Sequence, residues 1–174
     1  MERTGIIRGK GKPLTLVGQE LKIGLPAPDF RLVDANLNLV TLSDTTGYVR
    51  VFSIVPSIDT NICAIQTKTF NVRAQQLADE IKLYGVSVDL PFAQSRFVEA
   101  KRIDRLKMLS DYQERSFGMN WGMLVRENKL LARAVVILDK DDTVRYVQLV
   151  PETSNEPDYE DALNALRDVA VART

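Results

Sequence analysis

The chain has no histidine and a single cysteine, Cys63, in 174 residues. Without histidine it lacks the usual base near neutral pH, the imidazole of serine and cysteine triads, and the commonest zinc ligand. One thiol cannot close an intrachain disulfide or build a cysteine-rich metal site, and so low a count fits a reducing compartment. Net charge is absent too: 23 Lys and Arg balance 23 Asp and Glu, so the overall charge gives no reason to bind a polyanion, and no nucleic-acid partner is expected. No apolar run approaches the roughly 20 residues of a membrane-spanning helix. Met1 to Lys12 has neither the apolar stretch nor the cleavage site of a signal peptide, which makes the cytoplasm the expected location. The composition, 45% apolar and 26% charged without repeats or Pro/Gly/Ser-rich linkers, suits one domain over residues 1–174 with a buried core.

Hydrophobic periodicity supplies the architecture. Gly5–Arg8 and Leu14–Val17 flank the turn residues Gly9–Pro13 and predict a hairpin appended at residues 1–18. After Pro26-Ala27-Pro28, Phe30–Val33 and Leu39–Leu42 read as short extended pieces, and Tyr48–Val55 as a stronger strand ending at Pro56. Cys63, Thr67, Phe70, Ala74, Leu77 and Ile81 recur at helical spacing, with Thr60 or Asp59 as N-cap. A strand at Leu83–Asp89, a Pro91-initiated helix to about Arg102, a strand near Lys107–Leu109 and an irregular stretch at Phe117–Met123 follow. Ala132–Leu138 and Val144–Val150 form a second hairpin around Asp139–Asp142, and a last helix begins near Pro157. The order predicts an α/β fold with a central mixed sheet, parallel in one part and antiparallel in the other.

Chemistry concentrates at Val55-Pro56-Ser57-Ile58-Asp59-Thr60-Asn61-Ile62-Cys63, a strand end, a turn and the first turn of a helix. Unpaired amides and the positive end of the dipole at a helix start favour thiolate over thiol, and thiolate is the nucleophile. Thr60 can aim its hydroxyl into the same space, and because the spacing is Thr-x-x-Cys rather than C-x-x-C, dithiol exchange within the motif is not available. Each residue also has a structural reading. Cys63 can be a small buried hydrophobe, Thr60 a helix cap and Pro56 a strand terminator. Arg133, set in an apolar run, can snorkel or pair with a surface carboxylate, although a charge in a buried strand calls for a partner.

The string Pro56-Ser57-Ile58-Asp59-Thr60 with Cys63 resembles the active-site motif of peroxiredoxins, the bacterial thiol peroxidases in particular. Ala27-Pro28-Asp29-Phe30, Asp89 to Phe97, Ala132 to Val136, Gln148-Leu149-Val150 and Glu156-Pro157-Asp158-Tyr159 are similar to segments of the same family, in the same order along the chain. The resemblance implies a thioredoxin-like fold and an enzyme that reduces hydrogen peroxide and organic hydroperoxides. In that family's terms Cys63 attacks the terminal peroxide oxygen and becomes a sulfenic acid. Thr60 bonds the thiolate and the peroxide, Arg133 holds the charge, and Pro56 shields the sulfur. It implies no metal, haem or flavin, and a homodimer. Many relatives carry a resolving cysteine where this chain has Val98, and Glu99 to Arg102 also depart from the expected Gly-containing continuation. The reductant is therefore a thiol from outside the chain, a thioredoxin-like protein or a small thiol. The alternative is a redox sensor of the same fold that does not turn over.

Other signals are weaker. An EF-hand loop starting at Asp139 needs Gly and Glu where Val144 and Val150 stand, so Asp139–Asp142 reads as a hairpin turn and no metal site is expected. Gly9-Lys10-Gly11-Lys12 lacks the phosphate-loop spacing, and the cluster of Arg96, Lys101, Arg102, Arg105 and Lys107 reads as a solvated face. Trp121 with Phe117, Met119 and Met123 is core or interface by type. The resemblance marks these four as the expected dimer contact and alkyl-binding surface.

Overall fold

A computed structural model describes residues 1–172. Its centre is β5 (Val49–Ile54), a middle strand buried along its whole length, in which Arg50 and Ser53 are covered together with Val49, Val51, Phe52 and Ile54. β5 runs parallel to β6 (Ile81–Ser87), and β6 parallel to β7 (Leu106–Ser110). On its other side β5 pairs antiparallel with β9 (Ala134–Leu138), which forms a hairpin with β10 (Val144–Leu149). Two short strands, β3 (Arg31–Val33) and β4 (Leu39–Thr41), complete a seven-stranded mixed sheet in the order β10-β9-β5-β6-β7-β3-β4.

The period of two along each strand splits the core into two layers. Val135 and Ile137 of β9 pack with Val49 and Val51 of β5 against three helices, α1 (Asn61–Ala74), α2 (Pro91–Lys101) and α4 (Tyr159–Val171). Ala134, Val136 and Leu138 face the opposite side with Phe52 and Ile54, where Phe30 meets Phe52, Phe117 and Trp121 edge to face. The N-terminal hairpin joins this second layer through Ile7 and Leu16. Its strands, β1 (Glu2–Gly9) and β2 (Lys12–Val17), turn on Lys10-Gly11, both at positive φ (51° and 78°), the two-residue geometry whose twist suits a hairpin. A two-residue strand, β8 (Leu124–Val125), adds to β2 and makes a second, three-stranded sheet.

The structure departs from the sequence reading at several places. The period that marks α1 runs on to Ile81, but the helix ends at Ala74: the amides of Gln75, Gln76 and Leu77 turn back three residues, and Ile81 instead opens β6 opposite Val49. Sheet pairing outweighs helical spacing there. The segment expected to be irregular contains a short helix, α3 (Ser116–Asn120). β9 starts at Ala134, two residues later than expected: the Arg133 carbonyl still accepts the Val150 amide in the register of the β9–β10 hairpin, and the Ala132 amide turns away to Met123. Phe117, Trp121 and Met123 are core, with the indole N–H donating to Pro28; of the four residues expected at a dimer contact only Met119, 48% exposed, faces out.

The acidic turn is indeed a hairpin turn, with Asp142 at positive φ and Asp139 capping the amides of Asp141 and Thr143. It also neutralises Arg50, which is wholly buried and lies 2.7 Å from Asp142. Among the described residues no helix is long and apolar enough to cross a membrane.

Buried Asp111 accepts the amides of Phe117 and Gly118 at the start of α3. Desolvation pushes its carboxyl up to about 6, against the opposing pull of those two donors. The folded form therefore holds the proton more tightly than the unfolded chain does. The stability this provides is complete below the ordinary carboxylate value and is lost as pH rises through about 6. Denaturation of wild type beside Asp111→Ala is expected to show the wild-type advantage shrinking by on the order of 2 kcal/mol between about pH 4 and pH 7. A difference that is flat or grows over that range would contradict it.

Candidate active site

β5 ends at Ile54, and the Val55 amide still bonds the Val86 carbonyl, so Pro56 stands where the strand can no longer pair. The next four residues turn the chain into α1. Thr60 occupies the N-cap position in extended conformation, but its hydroxyl does not cap. The hydroxyl and the Thr60 amide both donate to the Ser57 carbonyl, each at 3.1 Å. Cys63 follows in the first turn of the helix, 0% exposed, its carbonyl accepting the Thr67 hydroxyl.

α1 has an unusual inward face. Beside the apolar Cys63, Phe70 and Ala74 it buries Gln66, Thr67 and Asn71. Gln66 donates to Ser53 at 2.9 Å, which leaves its amide oxygen free to accept. That oxygen receives Arg133 Nη1 at 3.1 Å. Arg133 is 2% exposed and uses every arm of its fork: Nε donates to the Thr153 carbonyl at 2.9 Å, and Nη2 points at Cys63 Sγ at 3.4 Å. Among the described residues none of the ion pairs involves Arg133. A buried guanidinium thus has two neutral oxygens and one sulfur as its partners.

A cavity of about 490 Å³ opens at this point, with Pro56, Thr60 and Arg133 in its wall. Ile62, Leu130 and Leu131 make it largely apolar, and Gly9, Lys10 and Leu14 bring the N-terminal hairpin to the same wall. The hairpin is fastened there by Glu152, which accepts the amides of Lys10 and Gly11 at 3.1 Å each, while the Arg8 amide donates to the Pro151 carbonyl and the Arg8 carbonyl accepts the Thr153 amide. Those donors, Gly11 first, hold the Glu152 carboxyl below its usual range. Of the four residues singled out in the sequence, Pro56, Thr60 and Arg133 share the cavity wall, whereas Cys63, fully buried, lies behind that wall and is joined to it through Arg133. The structure adds three that sequence reasoning missed: Gln66, the Thr153 carbonyl and Glu152. Gln66 left one clue, a polar residue between apolar positions of the helix; a backbone carbonyl leaves none. Val98, half-buried on α2, packs against the helical-side core.

Comparison with known proteins gives the family. Residues 22–163 match the Redoxin family, to which the chain belongs. It is similar to the thiol peroxidases of Halalkalibacterium halodurans, at 46% identity over 158 residues (91% of this chain, 95% of that protein), and of Bacillus subtilis, at 44% over 158 residues (91% and 94%). A peroxiredoxin-like protein from Aquifex aeolicus superposes with a TM-score of 0.89 at 39% identity, covering 96% of this chain and 97% of that one. The thiol peroxidase from Chromobacterium violaceum shares the fold at a TM-score of 0.83, covering 93% and 95%. Within the Redoxin family the chain stands with the thiol peroxidases, as a thiol-dependent peroxidase of thioredoxin-like fold.

Replacing Gln66 by Leu keeps the volume but leaves Arg133 Nη1 without its acceptor. A loss of about 1–3 kcal/mol in unfolding free energy is expected from denaturant titration. An unchanged midpoint would mean that the guanidinium does not depend on Gln66.

Proposed function

We propose that Cys63 is the peroxidatic nucleophile of this thiol peroxidase, with Arg133, Thr60 and Pro56 as its active site. The observation that carries this reading is the contact of Arg133 Nη2 with Cys63 Sγ at 3.4 Å, made by a buried cation that has no carboxylate partner among the described residues. A permanent charge in that position is best met by a sulfur that is itself an anion, and it supplies without histidine the electrostatic help that a thiolate needs.

The thiolate attacks the terminal oxygen of a hydroperoxide. The S–O bond forms as the O–O bond breaks, and the leaving oxygen departs as alkoxide or hydroxide and takes up a proton, giving alcohol or water and Cys63 sulfenic acid. Arg133 can share its Nη2 donor between the sulfur and the developing charge on the leaving oxygen. Thr60 orients the peroxide, and Pro56 keeps water from that side of the sulfur. The apolar wall of Ile62, Leu130 and Leu131 suits an organic hydroperoxide as well as hydrogen peroxide.

The cycle closes from outside, since Cys63 is the chain's only cysteine. A thiol condenses with the sulfenic acid to a mixed disulfide and releases water; a second thiol then displaces Cys63. A thioredoxin-like protein or a small thiol fills that role, in the cytoplasm. The chain acts as one domain, with residues 1–18 forming part of the pocket wall, and assembles as a homodimer. Exposed Met119, not buried Trp121, is what the Phe117–Met123 segment can offer to a partner.

Rapid mixing with one equivalent of cumene hydroperoxide, quenching and intact-mass measurement test the proposal. A fast gain of one oxygen on wild type is expected, with none on Cys63→Ser and a rate lowered about 100-fold in Arg133→Ala. Added thiol should restore the reduced mass over repeated cycles. Oxidation no faster than that of an unactivated thiol would refute the nucleophile, and fast oxidation that no thiol reverses would identify a sensor instead.

A further inference from the structure

The turn that carries Pro56 and Thr60 has almost no backbone anchoring of its own. Between the end of β5 and the first turn of α1 its internal backbone bond is Thr60 N–H to the Ser57 carbonyl. The remaining fastenings converge on one side chain from the other βα unit. Asp89, in the turn between β6 and α2, accepts the Ser57 hydroxyl on Oδ1 at 2.7 Å and the Ile58 amide on Oδ2 at 2.9 Å. Ser57 Oγ in turn accepts the Asp59 amide at 3.2 Å.

Asp89 is itself held on every side. Its Oδ2 also accepts the Ser87 hydroxyl at 2.6 Å, and its carbonyl accepts the Ser110 hydroxyl. Ser87 Oγ receives Gln94 Nε2 at 3.0 Å, and the same Nε2 donates to the Leu109 carbonyl at 2.9 Å. The assignment of that amide follows from chemistry: a carbonyl cannot donate, so the nitrogen of Gln94 must face Leu109. The amide oxygen then has no partner, which is the cost of turning the nitrogen toward this network.

We propose that Asp89 is a positioning residue for peroxide reduction, acting through Ser57 on Thr60. The geometry is a two-link chain. Asp89 fixes the Ser57 side chain and the Ile58 amide, and the Ser57 carbonyl fixes the Thr60 hydroxyl, which donates to it at 3.1 Å. With its proton committed to Ser57, that hydroxyl presents lone pairs to the cavity in one orientation. Asp89 touches neither the cavity nor Cys63, and Cys63 is held separately by Arg133. Loss of the Asp89 clamp therefore disturbs the orientation of the peroxide while leaving the reactivity of the sulfur itself in place. This inference rests on the role given to Thr60 above.

The test compares two rates at Cys63, oxidation by cumene hydroperoxide and alkylation by iodoacetamide, in wild type, Asp89→Asn, Ser57→Ala and Ser57→Thr, each with Thr60 and with Thr60→Val. Asparagine keeps the shape of Asp89 but turns one acceptor into a donor. Asp89→Asn and Ser57→Ala are each expected to slow oxidation about tenfold or more, to change alkylation less than about twofold, and to add nothing once Thr60 is Val. Ser57→Thr, which keeps the hydroxyl, should retain the wild-type rate. Equal costs in both Thr60 backgrounds, or oxidation and alkylation falling together, would overturn the proposal. Oxidation slowed by Thr60→Val but normal in Asp89→Asn and Ser57→Ala would overturn it and leave the role of Thr60 intact, whereas a Thr60→Val protein of normal rate would overturn both. If Asp89→Asn does not fold, Ser57→Ala carries the comparison.

Discussion

A guanidinium buried without a carboxylate partner among the described residues is the constraint around which the rest of the protein is arranged. Taking a permanent charge out of water costs several kcal/mol unless its donors are met. Arg133 meets that demand with the Thr153 carbonyl, the Gln66 amide oxygen and the Cys63 sulfur. Two of the three are neutral, so the sulfur is the one partner able to balance the charge by becoming an anion. In the function proposed above, the same arrangement that solves a folding problem also serves Cys63 as nucleophile, in a chain with no imidazole to do so.

Each partner of Arg133 comes from a different part of the fold. Gln66 and Cys63 share one face of α1, three residues apart, so a single helix turn offers both to the same fork. Thr153 belongs to the loop after β10, which Glu152 ties to the tip of the N-terminal hairpin. The hairpin therefore serves two purposes: it walls the cavity and steadies the loop whose carbonyl receives Nε. On the opposite side the Ser57–Thr60 turn leans on Asp89 and through it on β6 and α2. The site is thus set by interactions between elements distant in sequence, as preorganised donors must be.

Much of this was legible in the sequence, and the limits have physical causes. Strands showed clearly where β-branched and aromatic residues cluster, as in Tyr48–Val55, and the motif around Cys63 marked the strand-turn-helix junction. The end of α1 was misread because Leu77 and Ile81 keep helical spacing by chance, while the pairing of Ile81 with Val49 that ends the pattern is a contact across the sheet. Arg133 sits at the end of the strand that its apolar neighbours predict, its carbonyl still accepting the Val150 amide in the hairpin register; what the sequence does not show is where its side chain goes. By type Trp121 and Phe117 fit core or interface alike, and it was the family resemblance that placed them at a surface; the contact with Phe30 that buries them lies far away in sequence. Gln66 and Asp89 were invisible as site residues for the same reason: their meaning lies in partners 67 and 32 residues away.

The central claim is that the fork of Arg133, and not merely a positive charge, holds the reacting sulfur. The most direct measurement is the second-order rate of Cys63 oxidation by hydrogen peroxide in stopped flow for wild type and Arg133→Lys. Lysine keeps the charge but is a point donor that cannot reach Thr153, Gln66 and the sulfur in one plane. The account predicts a rate lowered by at least about tenfold in Arg133→Lys, with the fold retained. A lysine variant that reacts as fast as wild type would show that charge alone suffices and that the three-way contact is incidental.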